Sequence, residues 1–79
     1  MGYRRSDVDE VLVSQVRRAF RSGKARRLRE EAGLSIRELA SLAKLPQASL
    51  QRWETGASLP RAEACLAWSE AMERLGFRV

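Results

Sequence analysis

The sequence contains no histidine and a single cysteine, Cys65. One cysteine excludes an internal disulfide and a cysteine-based metal cluster, and without histidine a zinc site would have to use carboxylates alone. We therefore expect no metal, no cofactor and a reducing, cytoplasmic setting. A cysteine with no histidine to activate it is a poor nucleophile, so we expect Cys65 to be a small buried hydrophobe and the protein not to be an enzyme.

Long hydrophobic runs are also missing. The longest aliphatic run near the N-terminus, Val11 to Val13, is far shorter than a signal-peptide core or the roughly 20 apolar residues of a membrane-spanning helix. We expect a protein inside the cell that does not cross a membrane. A chain of 79 residues makes one domain at most and buries only about 60% of its unfolded surface, so its core should be small.

Positive charge is concentrated in one part of the chain. The net charge is +5, and residues 17 to 29 contain no acidic residue. The basic residues of this run are Arg17, Arg18, Arg21, Lys24, Arg26, Arg27 and Arg29. Such an asymmetry suggests a polyanionic partner, and the alternative is an ordinary solvated helix surface. A membrane partner is disfavoured, because the run lacks the large apolar face with aromatic residues that surface helices use.

Glycine and proline divide the sequence into segments of helical length, and no segment alternates as a strand does. The sequence therefore predicts an all-α protein. The predicted helices cover residues 7 to 21, about 22 to 33, 36 to 43, 47 to 55, and a last segment after Pro60 with the apolar stripe Cys65, Trp68, Met72 and Leu75. Gly23 either separates the first two helices or lies inside one long helix, because glycine within a helix costs only about 1 kcal/mol.

Two of the predicted helices are joined by a short turn, residues 44 to 46. Ser35 and Glu38 have the S-x-x-E spacing of a capping box, which predicts the start of the first of these helices. Pro46 suits the start of the second helix and Gly56 its end. The pair predicts a helix-turn-helix, whose second helix can lie in the major groove of DNA while the first crosses the backbone.

Residues 24 to 75 closely resemble the helix-turn-helix family of phage repressors, Cro proteins and xenobiotic-response-type regulators. The residues that carry the resemblance are Leu28, Arg29, Gly33, Leu34, Ser35, Glu38, Leu39, Ala40, Leu45, Leu50, Trp53, Glu54, Gly56 and Pro60. The resemblance implies a lambda-repressor-like bundle of about five helices that binds double-stranded DNA and regulates transcription. It also implies a location at the nucleoid, in the cytoplasm of a bacterial or phage-infected cell.

The resemblance also implies roles for single residues. Arg29 and Glu54 are expected to form a partly buried ion pair between the family's first helix and its recognition helix, residues 47 to 55. The residues expected to read bases are Gln47, Ala48, Gln51 and Arg52, and their chemistry suits adenine, the thymine methyl group and guanine. The residues expected to contact phosphate are Lys24, Ser35, Ile36 through its backbone N–H, Arg37, Ser58 and Arg61.

Other interpretations of these residues stay open at this point. Gln47 and Gln51 could be polar surface residues without a ligand, and Arg52 could pair with an acid inside the fold. Trp53 and Trp68 are expected in the core rather than as stacking platforms for bases, because each lies in an apolar stripe.

Two residues depart from the family pattern. Lys44 stands where the turn commonly has glycine, so either it adopts a left-handed conformation at about 1 kcal/mol or the turn differs. Pro46 replaces the usual Ser or Thr cap and leaves a backbone donor for water or a phosphate.

The resemblance divides the chain into an N-terminal extension with an amphipathic helix (1–22), a helix-turn-helix domain (23–76) and a C-terminal tail (77–79). The extension either completes the small core or forms a homodimer, at least on DNA. The apolar surfaces available for dimerisation are Val8, Val11 and Leu12 in the extension and Leu75, Phe77 and Val79 at the C-terminus. Folds of this type also serve as antitoxins, so a protein partner is the alternative function.

Overall fold

The computed structural model describes residues 5 to 78, with side chains from Asp9 onward. This part of the chain forms five helices and no strand. The helices are α1 (Arg5–Ser22), α2 (Lys24–Glu31), α3 (Ile36–Ala43), α4 (Gln47–Thr55) and α5 (Ala62–Arg74). The predicted all-α class is confirmed, and α3 and α4 begin and end at the predicted residues. None of these helices combines the length and the apolar character that crossing a membrane would need.

Gly23 separates α1 from α2. Its φ is 82°, in the left-handed region where a side chain is disfavoured, so the backbone turns there without strain. The Gly23 N–H donates to the Phe20 carbonyl at 3.4 Å, and the Gly23 carbonyl accepts from the Arg27 N–H at 3.2 Å. The residue therefore ends one helix and begins the next, and the alternative of one long helix is wrong.

The N-terminal helix packs into the core. Val13, Val16, Ala19 and Phe20 of α1 are buried together with apolar residues of the other four helices. The Phe20 ring lies against both tryptophans, with centroid distances of 5.9 Å to Trp53 and 5.1 Å to Trp68. For residues 9 to 22 the structure thus shows the core-completing arrangement. The division of the chain at residues 22 and 76 stays a prediction.

Of the apolar stripe predicted for the last helix, all but Leu75 lies in α5; Leu75 follows the helix and is only partly buried. Cys65, Trp68 and Met72 are fully buried in α5, and Trp53 of α4 is also in the core. Burial raises the pKa of the Cys65 thiol, because the thiolate would lose its hydration. The predictions of two core tryptophans and a buried cysteine are confirmed.

The two apolar surfaces considered for dimerisation are only partly exposed. Leu12, Leu75 and Phe77 pack against the core, and the Phe77 N–H donates to the Met72 carbonyl at 2.9 Å. Val11 is 59% exposed. The side chain of Val8 and the whole of Val79 lie outside the part that the structure describes.

We expect Phe20→Ala to lower the free energy of unfolding by about 3 to 5 kcal/mol, the range for removing a buried aromatic ring. Val11→Ala on the same helix is the control, and its exposed side chain predicts a change below about 0.5 kcal/mol. Urea denaturation of both variants measures the difference. Equal, small effects would mean that α1 does not contribute to the core in solution.

Candidate nucleic-acid interface

The start of α3 is fixed by a capping box. Ser35 Oγ accepts from the Glu38 N–H at 3.0 Å, and Glu38 Oε1 accepts from the Ser35 N–H at 2.9 Å. The prediction of this box is confirmed. Hydrogen bonding from Ser35, above all from its backbone N–H, lowers the pKa of the Glu38 carboxyl, because it favours the ionised form. The exposed Arg37 and the backbone N–H of Ile36 follow the cap directly, at the helix end that attracts anions.

The turn from α3 to α4 is held by backbone hydrogen bonds. Lys44 has φ 57° and ψ 44°, the left-handed conformation that the sequence left as one of two possibilities. The Lys44 N–H donates to the Ser41 carbonyl at 3.3 Å and the Leu45 N–H to the Ala40 carbonyl at 2.9 Å. These two bonds satisfy carbonyls that the end of α3 leaves free, and they fix the direction in which α4 starts.

The fourth helix, α4, is buried on one side and polar on the other. Leu50 and Trp53 point into the core. The four predicted base-reading residues are all exposed: Gln47, Ala48, Gln51 and Arg52. Their spacing of one and four residues places them on one helix face. Arg52 forms no ion pair within residues 9 to 78, so the alternative of a bridge to an acid is absent from the described part of the chain.

Pro46 precedes α4 and supplies no side-chain cap. Its backbone is extended, with φ −63° and ψ 131°. Its carbonyl accepts the first hydrogen bond of the helix, from the Leu50 N–H at 3.1 Å. The first backbone donors of α4 therefore lack the Ser or Thr oxygen that usually satisfies one of them. An anion or water is left to accept from that end of the helix.

An ion pair joins α2 to α4. Arg29 Nε donates to Glu54 Oε2 and Arg29 Nη2 donates to Glu54 Oε1, both at 2.8 Å. The side chains are only 12% and 4% exposed, respectively. Arg29 Nη1 also donates to the Leu34 carbonyl at 2.9 Å, in the turn before α3. The hydrogen bonds to Glu54 raise the pKa of Arg29, so the guanidinium stays charged.

Three of the predicted DNA-contacting residues lie together. Arg52, Ser58 and Arg61 line one cleft of about 640 Å³ between α4 and the beginning of α5. Lys44 lines the same cleft, although the sequence analysis considered it only as a turn residue. Its positive charge adds to that of Arg52 and Arg61 in this cleft. Lys24 instead lines a separate, smaller cavity beside α1.

Some of the basic side chains in residues 17 to 29 are bound to other groups within the fold. Arg29 is used in the ion pair with Glu54, and Arg17 Nε donates to the Pro60 carbonyl at 3.0 Å. Arg26 lies 3.7 Å from the Glu30 carboxylate in an exposed pair. The exposed basic residues that remain are Arg18, Arg21, Lys24 and Arg27. Folding therefore uses part of the charge of this run, and the exposed remainder is still available to a polyanionic partner.

Comparison with protein-family models matches residues 26 to 75 to the helix-turn-helix family. The match covers more than half of the chain and takes in nearly all of α2 and the whole of α3, α4 and α5. The chain therefore belongs to the Cro/repressor-type helix-turn-helix family of DNA-binding proteins. This family is a class of non-enzymatic DNA-binding domains. No curated protein and no solved structure matches the chain.

We expect Glu54→Gln to destabilise the protein by about 3 to 5 kcal/mol, because it leaves the Arg29 charge buried without its partner. Glu30→Gln is the control, since it removes a carboxylate from the exposed pair with Arg26 and should cost less than about 0.5 kcal/mol. Urea denaturation gives both values. The double variant Arg29→Met, Glu54→Met should lose less free energy of unfolding than the sum of the losses in the single variants Arg29→Met and Glu54→Met. Strict additivity would contradict a direct interaction between the two side chains.

Proposed function

We propose that the protein is a sequence-specific transcriptional regulator of Cro or repressor type, which reads double-stranded DNA with α4 in the major groove. The observation that carries this proposal is the exposed polar face of α4, formed by residues 47, 48, 51 and 52 on a helix whose other side is fixed. Leu50 and Trp53 anchor that side in the core, and Glu54 ties it to α2. A face held in this way loses little freedom on binding.

The side chains on this face match the groups that bases expose in the major groove. The amide of Gln47 or Gln51 can bond the N6 and N7 atoms of adenine at once, and Arg52 can do the same with O6 and N7 of guanine. The methyl group of Ala48 suits the methyl group of thymine. The alternative, in which the two glutamines have no ligand, predicts that their removal does not change base preference.

Phosphate contacts on both sides of α4 would fix its position in the groove. Arg37 is exposed at the start of α3, beside the backbone N–H of Ile36, and Ser58 and Arg61 follow α4 in the cleft that Arg52 also lines. Contacts of this kind set orientation without reading sequence. Ser35 Oγ already accepts from Glu38, but its hydroxyl hydrogen can still be donated to a phosphate oxygen. Lys24 would contact phosphate from its separate position.

Two copies of the protein are expected on one operator, in the cytoplasm of a bacterial or phage-infected cell. One recognition helix reads only a few base pairs, and two half-sites about 34 Å apart provide the specificity that a single helix lacks. Native mass spectrometry on a selected duplex would count the copies. One copy for each operator would contradict the dimeric arrangement.

Selection from random duplexes tests the proposed function directly. Repeated binding and amplification should enrich a short motif, with two half-sites if the protein binds as a pair. Enrichment of no motif, together with co-purification of a second protein, would instead support the antitoxin alternative.

Variants should separate specificity from general affinity. Gln47→Ala and Arg52→Ala should each cost about 1 to 3 kcal/mol on the selected site and leave binding to a scrambled duplex nearly unchanged. Arg37→Ala and Arg61→Ala should weaken binding to both duplexes alike and flatten the slope of log K against log salt by about one unit. Fluorescence anisotropy at several salt concentrations measures both effects. Full discrimination by a folded Gln47→Ala, Arg52→Ala double variant would mean that α4 is not the reading helix.

A further inference from the structure

The carbonyl of Pro60, in the linker between α4 and α5, accepts hydrogen bonds from two side chains. Arg17 Nε of α1 donates at 3.0 Å, and Cys65 Sγ of α5 donates at 3.7 Å. The bond from Arg17 is the stronger, because its donor is charged and a thiol is a weak donor. Arg17 precedes Pro60 by 43 residues and lies outside the residues matched to the family.

The structure shows few other hydrogen bonds to this linker. Within the described part of the chain, residues 58 to 60 make no backbone–backbone hydrogen bond. Before the linker, the last such bond runs from the Ala57 N–H to the Arg52 carbonyl. After it, the first runs from the Cys65 N–H to the Arg61 carbonyl. The linker is therefore positioned by the burial of Pro60 and by the two side-chain bonds to its carbonyl.

The position of Arg17 is not explained by helix electrostatics. Arg17 lines a cavity together with Asp9, Glu10 and Arg21 of α1 and with Ala62, the first residue of α5. The N-terminal end of a helix carries partial positive charge, so a cation beside it is unfavourable. Within residues 9 to 78 Arg17 forms no ion pair with an acid, so attraction to a carboxylate does not account for its hydrogen bond to Pro60 either. What the bond fixes is the segment that carries Ser58 and Arg61.

We propose that Arg17 is a positioning residue for DNA binding, which holds the 58–61 linker so that Ser58 and Arg61 face a phosphate. The proposal rests on the proposed function, because it assigns the linker to the DNA-contacting surface. It extends that surface to α1, which affects DNA binding through the linker in addition to completing the core.

A matched pair of variants isolates the hydrogen bond. In Arg17→Gln the amide nitrogen occupies the same position along the side chain as Arg Nε, so a donor to Pro60 remains. Arg17→Met has a similar length and no donor, and both variants remove the charge. Arg21→Met, at an exposed arginine one turn further along α1, is the control for losing one charge from this helix.

The first measurement uses the free protein and needs no DNA. NMR order parameters of the Ser58 and Leu59 amides should fall in Arg17→Met from about 0.85, typical of rigid backbone, towards about 0.6. Arg17→Gln and Arg21→Met should keep the wild-type values. Looser packing of α1 in the folded state would lower the values within α1 and α5 as well, so the predicted change is one confined to the linker. Arg17→Leu replaces Arg17→Met if the latter does not fold. Unchanged linker values in the folded Met or Leu variant would overturn the proposal.

The second measurement is a double-mutant cycle on DNA affinity. Arg17→Met should weaken binding to selected and scrambled duplexes by the same factor and flatten the salt slope by about one unit, as Arg61→Ala does. In the Arg61→Ala background, Arg17→Met should cause a smaller loss than in the wild-type protein, because only the Ser58 contact remains to be disturbed. With Arg61 intact, Arg17→Gln should bind DNA nearly as well as the wild-type protein, because it keeps a donor to Pro60. Additive losses would overturn the proposal. Failure of the wild-type protein to bind any duplex would refute the proposed function, while the order parameters still decide whether Arg17 holds the linker.

Discussion

The orientation of the helix-turn-helix depends on the bidentate pair between Arg29 and Glu54. One guanidinium binds both carboxylate oxygens of Glu54 in α4 and the Leu34 carbonyl in the turn before α3. It therefore fixes three segments relative to each other with a single planar group. A buried ion pair adds little net stability over an apolar pair, but its geometry specifies one arrangement and penalises others in which either charge is left alone. That specificity suits a helix whose outer face must meet a ligand in one orientation.

The basic residues of the chain fall into two physical classes. Arg29 and Arg17 use their donors inside the fold, where they hold α4 and the linker after it. Arg37, Arg52 and Arg61 are exposed and keep their donors available to a ligand. Net charge alone does not separate these classes, since both contribute equally to a value of +5. In the proposed function, the first class would give the DNA-facing surface its shape, and the second would attract phosphate and bases.

Local rules were enough to predict most of the helix-turn-helix. The capping box at Ser35 and Glu38 and the end of α4 at Gly56 depend on residues close in sequence, and both predictions agree with the structure. The conformations of Gly23 and Lys44 do not follow from the sequence, because about 1 kcal/mol of local preference is small beside tertiary packing. The bond from Arg17 to Pro60 spans 43 residues, and no periodicity or spacing indicates it. The roles of residues 47 to 52 came from the resemblance and stay predictions.

The contact between α4 and the major groove can be observed directly by NMR on the protein bound to a selected duplex. We expect intermolecular nuclear Overhauser effects from the side chains of Gln47, Ala48 and Arg52 to major-groove protons such as cytosine H5 and the thymine methyl group. The amide signals of Ile36 and Arg61 should also shift on binding, since phosphates flank the groove. Contacts confined to α1 or to the C-terminal residues, with α4 unperturbed, would contradict the assignment of α4 as the reading helix.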